Sequence, residues 1–271
     1  MLKKNIVITG GTDGIGLATA KELLKFDHHI YIIGKNESKG NKILNDIKNP
    51  KLNFLPCDLS ELNQVNRLIK ELSLLKNIDV LINNAGALFL KREENSDGVE
   101  KTFALNHLSY FQLSIGLLNK IENSIDGRIV NVASDAHKRY ELDIDDLENK
   151  NNYNGWKSYC RSKLLNILFT YEFSRRFKSK IKCNCLHPGF INSNFGNNNS
   201  SFYRIPVNII KKFFAKSTNF ASKNLVYLSS SEDLDKTGEY FYNCKTKRSS
   251  KQSYDLTLAK KVWELSLNYL K

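Results

Sequence analysis

The sequence lacks any run of about 18 apolar residues, so no segment reads as a membrane span. Its first ten residues, MLKKNIVITG, begin basic but carry only a short apolar stretch before Gly10, too little for the core of a signal peptide. Proline is scarce, with 4 in 271 residues, and no Gly/Ser-rich tract divides the chain. A single domain over 1–271, in the cytoplasm, is the expectation. Cysteines are few and odd in number, 5 in all, which without a secretion signal reads as reduced thiols. Cys183 and Cys185 share one strand face, yet no His or Cys cluster completes a zinc site, so no metal is expected. Acidic residues fall short of basic ones, 28 against 41, for a net charge of +13. That balance raises a nucleic-acid or anionic-surface partner. The lysines are spread along the whole chain, however, and the only dense run is Lys245–Lys251. The charge therefore reads as a solvated surface that favours an anionic cofactor, with no nucleic-acid partner.

What the sequence does contain is alternation. Strands are predicted at Asn5–Thr9, His29–Ile33, Leu52–Pro56, Asp79–Ile82, Arg128–Ala133, Ile181–Leu186 and Glu239–Tyr242. Between them apolar residues recur at helical spacing. Ile15, Ala18, Leu23 and Phe26 mark one helix; Leu62, Val65, Leu68, Ile69, Leu72 and Leu75 mark another, with Ser60 as its N-cap. Repeated β-α-β units with apolar strands predict an α/β fold, a doubly wound parallel Rossmann sheet with helices on both faces. One segment breaks the pattern. Residues 194–218 hold the polar tract Asn197–Ser201 and then Phe202, Tyr203, Phe213 and Phe214 among lysines. Its place after a strand's carboxyl end predicts a substrate lid, with packing on the sheet or peripheral contact with a membrane surface as alternatives.

Directly after the first strand come Thr9, Gly10, Gly11, Thr12, Asp13, Gly14, Ile15 and Gly16, leading into a helix. Glycines permit a sharp turn and a close approach by pyrophosphate, and the helix N-terminus offers free N–H groups. Lys35 lies just past the second strand, where the adenosine ribose would sit. A cation there suits a 2′-phosphate, so NADP(H) is preferred and NAD(H) is the alternative. Asp58, past the third strand, is placed either to accept from the adenine amino group or to serve as a helix N-cap or in a turn.

Tyr-x-x-x-Lys occurs three times, as Tyr31/Lys35, Tyr153/Lys157 and Tyr159/Lys163. Only the last lies inside a clear helix, where i,i+4 residues share a face. A phenol is a poor base at neutral pH. An ammonium about 4 Å away, at an effective dielectric near 20, would favour phenolate by about 4 kcal/mol before desolvation subtracts a share. Ser134 closes the fifth strand run and can donate to a developing alkoxide. Asn106 falls on a helix after the fourth strand, where an Asn also commonly satisfies backbone. His107 and His137 lack nucleophile or metal partners and read as structural.

Taken together, TGGTDGIG at 9–16, NNAG at 83–86, Asn106, Ser134, Tyr159 with Lys163, and HPG at 187–189 resemble the short-chain dehydrogenase/reductase family. The resemblance spans nearly the whole chain. NVASDAH at 131–137, the run at 158–177 and WELS at 263–266 are similar to its retinol-dehydrogenase-like branch. The resemblance implies a nicotinamide nucleotide across the strands' carboxyl ends. It implies Tyr159 as acid/base, Lys163 as its partner, Ser134 as carbonyl polariser and Asn106 as relay anchor. It places Leu59 with Asp58, and Asn84, Ala85 and Gly86 along the adenosine side. Pro188, Gly189, Ile191 and Ser193 fall at the nicotinamide end. Lys35 stands where this branch usually has arginine, Ala133 replaces a common serine and Ser109 a common glycine. The expected activity is interconversion of an alcohol and an aldehyde or ketone, on an apolar substrate. A homodimer through helices near 100–120 and 156–177 is a further implication. The membrane anchor that precedes the domain in many animal relatives is not seen, so a soluble enzyme is expected. The competing class is an NADP(H)-binding Rossmann sensor without turnover.

Overall fold

The computed structural model describes residues 3–177, 180–189 and 218–271, apart from the Asn219 side chain. Its strands are β1 (Asn5–Thr9), β2 (His29–Gly34), β3 (Leu52–Pro56), β4 (Val80–Asn83), β5 (Gly127–Val132), β6 (Ile181–Leu186), β7 (Tyr240–Tyr242) and β8 (Lys245–Thr246). They form one sheet in the order β3-β2-β1-β4-β5-β6-β7-β8. Every pairing is parallel except β7 with β8. The order reverses between β1 and β4, so the connections leaving their carboxyl ends diverge and open a crevice there.

The principal helices are α1 (Gly14–Leu24), α2 (Glu37–Ile47), α3 (Leu62–Leu72), α4 (Ser109–Gly116), α5 (Gly155–Phe177), α6 (Thr218–Ser230) and α7 (Leu256–Asn268). Strand periodicity sorts them into two layers. Ile6 and Ile8 pack with Ala20 and Leu23 of α1, Ile43 of α2 and Leu225 and Leu228 of α6. Val7, between them, points the other way, into Val65 and Leu68 of α3, Phe111 of α4, and Phe169 and Phe173 of α5.

Helix α7 packs against α5 and reaches α4 through Trp263. Trp263 meets Phe111 edge-on at 5.0 Å and stacks on Phe169 at 5.9 Å. Ser109–Ser114 and Ser158–Ser174 are buried; Leu164, Leu165 and Leu168 also pack with Val99, Leu142 and Leu147.

Strand positions agree with the pattern to within a residue or two, while several local expectations are corrected. Ser60 is not the cap of α3. Glu61 holds that position without a side-chain bond, and Ser60 Oγ instead donates to Asp58 Oδ1 at 2.7 Å. Phe26 lies beyond the end of α1 and is exposed. Asn106 sits in a π-helical turn, Ala104–Leu108, rather than in regular α-helix. Strand β8 carries too few residues to show a period. The 194–218 segment lies outside the described residues up to Thr218, which begins α6. Ile191 and Ser193 lie outside them as well.

Candidate active site

The crevice at the β1/β4 reversal is built by backbone. Gly10 takes φ +64°, and a Cβ there would stand 2.9 Å from Ala85 Cα, so the glycine turn and the 83–86 segment touch through main chain. Asn84 binds the two together. Its Nδ2 donates to Thr9 O at 2.8 Å and Gly10 O at 3.3 Å, while the N–H groups of Asn84 and Ala85 donate to Thr9 Oγ1 at 2.8 and 3.0 Å. Gly11, Thr12 and Gly14 carry the chain round into α1, where Ile15 and Gly16 lie in the first turn. Asp13 caps that helix by accepting from Gly14 N at 2.6 Å, and Lys39 pairs with its carboxylate. The helix therefore faces the crevice with its positive end.

Lys35 and Asp58 are neighbours at the next corner, with Nζ 3.9 Å from Oδ2 and the lysine 73% exposed. The other Asp58 oxygen accepts from Ser60 N at 3.0 Å as well as from its hydroxyl, so the turn reading of Asp58 is realised. Leu59 beside it is buried.

Opposite this corner, α5 brings its polar stripe to the crevice. Tyr159, Ser162, Lys163 and Asn166 share one helical face. Lys163 is 3% exposed, and its Nζ donates to Val132 O at 3.0 Å. That Nζ also lies 5.6 Å from the centroids of both Tyr159 and Tyr110. Burial alone lowers the Lys163 pKa to about 7. The Tyr159 phenol is shifted up by burial, and its hydrogen bond with Ser134 pulls the other way without cancelling the rise. Desolvation by burial is the largest influence on both groups in the protein by itself. Among the three Tyr-x-x-x-Lys pairs only this one has both groups together in the crevice. Tyr153 OH instead serves Phe89 O at 2.9 Å and Glu100 at 3.1 Å, and Tyr31 lies on β2.

Ser134 follows β5 and caps a short 3₁₀ turn, Asp135–Lys138, accepting from Ala136 N at 3.2 Å. Asn106 is fully engaged. Its Oδ1 accepts from Ala87 N at 2.9 Å, and its Nδ2 donates to Ala87 O and to Ser162 Oγ, both at 3.0 Å. Ser162 Oγ in turn donates to Tyr159 O at 2.7 Å, and Asn166 Nδ2 donates to Asn106 O at 2.9 Å. Ser162, Asn166 and Tyr110, whose hydroxyl donates to Ala85 O at 2.7 Å, were missed by motif spacing. The polar stripe in an otherwise apolar helix was the available signal for the first two. His107 and His137 are structural as expected. His107 bridges Asn166 at 3.3 Å and Ser266 at 2.9 Å, and His137 Nδ1 bonds Ser134 O at 2.6 Å.

Pro188 and Gly189 leave β6 toward the same end of the sheet, beside Ser134. Among the described residues no His, Cys, Asp and Glu cluster could hold a metal, and no helix is long and apolar enough to cross a membrane.

The model of the short chain dehydrogenase family matches residues 4–204. Human (Homo sapiens) polyprenol dehydrogenase is 32% identical over 273 residues, covering 96% of this chain and 83% of that protein. Retinol dehydrogenase 11 from Homo sapiens is 33% identical over 274 residues, covering 98% and 86%. The short-chain dehydrogenase TIC 32 A, chloroplastic, of Brassica napus is 34% identical over 278 residues, covering 96% and 87%. Among solved structures, an uncharacterised protein from Mycobacterium paratuberculosis superposes with a TM-score of 0.81 at 26% identity, covering 98% of this chain and 93% of that one. With its Rossmann sheet and these relatives, the chain belongs to the short-chain dehydrogenase/reductase family, in its retinol-dehydrogenase-like branch, and is an oxidoreductase of alcohols and carbonyls.

Proposed function

We propose that the protein is an NADP(H)-dependent enzyme interconverting an apolar alcohol with its aldehyde or ketone, with Asn106, Ser134, Tyr159 and Lys163 as its working groups. The observation that carries the proposal is the buried Lys163 ammonium beside the Tyr159 ring, with Ser134 hydrogen-bonded to that phenol. A non-catalytic sensor needs no such costly burial of a lysine and a tyrosine together.

The residues present suit a dinucleotide. A Cβ at Gly86 would stand 3.3 Å from both Lys163 Nζ and Asn106 Oδ1, so the missing side chain leaves a recess against the lysine. Gly10–Gly16 would hold the pyrophosphate, Asp58, Leu59, Asn84, Ala85 and Gly86 the adenosine side, and Pro188 and Gly189 the nicotinamide side. Ile191 and Ser193 belong to the same assignment. Lys35, exposed and only loosely paired with Asp58, would meet a 2′-phosphate. When bound, the nucleotide supplies or accepts the hydride.

This chain's own groups handle the proton. In the reductive direction Ser134 donates to the carbonyl oxygen and Tyr159 delivers its phenolic proton there as the carbonyl carbon takes hydride. Lys163 would hold a ribose hydroxyl of the bound nucleotide and, when protonated, steadies the phenolate left behind. Asn106 fixes Ala87 and, through Ser162, the main chain at Tyr159.

Leu88, Leu90 and Ala136 cluster with Tyr159 and Cys160, which gives the mouth of the site an apolar wall. Relatives named for polyprenol and retinol, both apolar alcohols, support the same substrate class. A cytoplasmic location is part of the proposal. NADPH oxidation across aldehydes and ketones of graded chain length tests it. Turnover that rises with chain length and vanishes in Tyr159→Phe is expected; nucleotide binding with no turnover of any carbonyl would leave the sensor.

A further inference from the structure

We propose that His137 is a positioning residue for the reaction: its ring fixes the peptide of Ser134 and so sets where the hydroxyl that polarises the carbonyl points. It acts through Ser134 and not on the reacting atoms. The inference rests on the role given to Ser134 above and adds the group that holds it.

Ser134 stands between the end of β5 and the 3₁₀ turn Asp135–Lys138, in extended conformation. Its hydroxyl accepts from Ala136 N at 3.2 Å, which leaves its own proton for a partner outside the turn, Tyr159 or the substrate. Behind that hydroxyl, Ser134 O accepts from His137 N at 3.1 Å and again from His137 Nδ1 at 2.6 Å. The first bond closes the turn, and any residue with a backbone N–H would make it. The second belongs to the imidazole.

The partners of the ring dictate its tautomer. Ser250 N lies 3.0 Å from Nε2, and a backbone N–H can only donate. Ser134 O can only accept. The neutral ring therefore carries its proton on Nδ1 and its lone pair on Nε2, and both nitrogens are used. His137 is 1% exposed, and Tyr240 meets it edge-on at 5.3 Å, which locks the ring's orientation.

The far end of this strut is anchored on the helix that carries Tyr159. Ser250 O accepts from Ser253 N at 3.1 Å and from Ser253 Oγ at 2.6 Å. Ser253 Oγ pairs with Ser249 Oγ at 2.6 Å, which meets Tyr171 OH of α5 at 2.8 Å. On the near side, Lys163 Nζ of the same helix holds Val132 O, two residues before Ser134. Ser134 is thus tied to α5 from both sides, and its hydroxyl is set relative to Tyr159. A ring that only stabilised the fold would change melting without changing turnover through Ser134.

The test separates the two nitrogens and then removes the serine hydroxyl. In place of His137, Asn offers an amide N–H at the Nδ1 position, whereas Gln reaches the Nε2 position and leaves Ser134 O without its second donor. With NADPH and the best aldehyde of the chain-length series, kcat should fall about 10- to 100-fold in His137→Gln, the cost of a misplaced reacting group, while the NADPH-induced melting shift survives. His137→Asn should recover most of that loss, although both variants melt below wild type. In a Ser134→Ala background His137→Gln should change kcat by less than about 2-fold, since no hydroxyl remains to be positioned. Equal fractional losses with and without the Ser134 hydroxyl, or equal losses in the Asn and Gln variants, overturn the inference. Ser134→Ala with wild-type kcat would instead sink the role of Ser134 itself. A last measurement needs no turnover. In nitrogen NMR of isotope-labelled protein, the histidine signals lost in His137→Gln should report a protonated Nδ1 and a bare Nε2; the opposite tautomer overturns the strut.

Discussion

His187 Nδ1 accepts the backbone N–H of Asp135 at 3.3 Å, tying the residue before Pro188 and Gly189 to the residue after Ser134. The ring's Nε2 lies 4.0 Å from Asp135 Oδ2, which also takes Lys247 Nζ at 2.7 Å; Oδ1 takes Tyr240 OH at 2.9 Å and Lys138 Nζ at 3.2 Å. The clamp needs neutral His187. Burial lowers its pKa to about 4, with Asp135 raising it and Lys247, His137 and Lys138 lowering it. Burial likewise lowers buried His107 to about 4. In unfolded chain these histidines titrate near 6.5. Between pH 6.5 and 4 the unfolded state therefore binds more protons, and stability must fall as pH drops through that window. Urea midpoints measured from pH 7 to 4 should decline, and His187→Asn should decline less steeply. Equal slopes would remove His187 from the account.

Lys163 works in the opposite window. Its folded pKa near 7 lies below the unfolded value near 10.4, so the unfolded state holds the extra proton between them and stability due to this residue rises with pH there. Lys163→Met should abolish turnover yet melt above wild type at pH 7, with the gap narrowing toward pH 10. A variant that melts below wild type at pH 7 contradicts the desolvation argument.

Tyr159→Phe removes one proton donor and leaves the ring packed on Trp156. Turnover should drop at least 100-fold while the NADPH-induced melting shift survives. Retention of more than about a tenth of kcat would reassign the acid.

Lys35 is the cofactor argument. NADP(H) should stabilise the wild type more than NAD(H) at equal concentration, and Lys35→Asp should invert that order. Equal shifts in the wild type would dissolve the preference.

Arg128 is 2% exposed and held by Asp126 at 2.8 Å, Leu228 O at 3.1 Å and Ser231 O at 2.7 Å. Asp126→Ala leaves the buried guanidinium with two carbonyls and no counter-charge. Denaturant unfolding should show a loss of about 3 kcal/mol.

The alternation of β-branched runs with helical periods determined the layers and the parallel sheet, while the strand order came only from the tertiary structure. Both periods are local, and each fixes which face must be buried. Glycine spacing determined the turn after β1, because φ near +64° at Gly10 is a property of the backbone. Tyr159 and Lys163 were legible because one helix turn brings them together. Contacts between distant segments were not legible. Asp135 meets Lys247 across 112 positions and His107 meets Ser266 across 159, and no local pattern encodes either. Nor did the sequence show that Trp263 of α7 would pack on Phe111 and Phe169. The pKa balance at Tyr159 and Lys163 also depended on tertiary structure. Two residues at i,i+4 have a known separation in any helix, but the water they lose depends on everything packed around them.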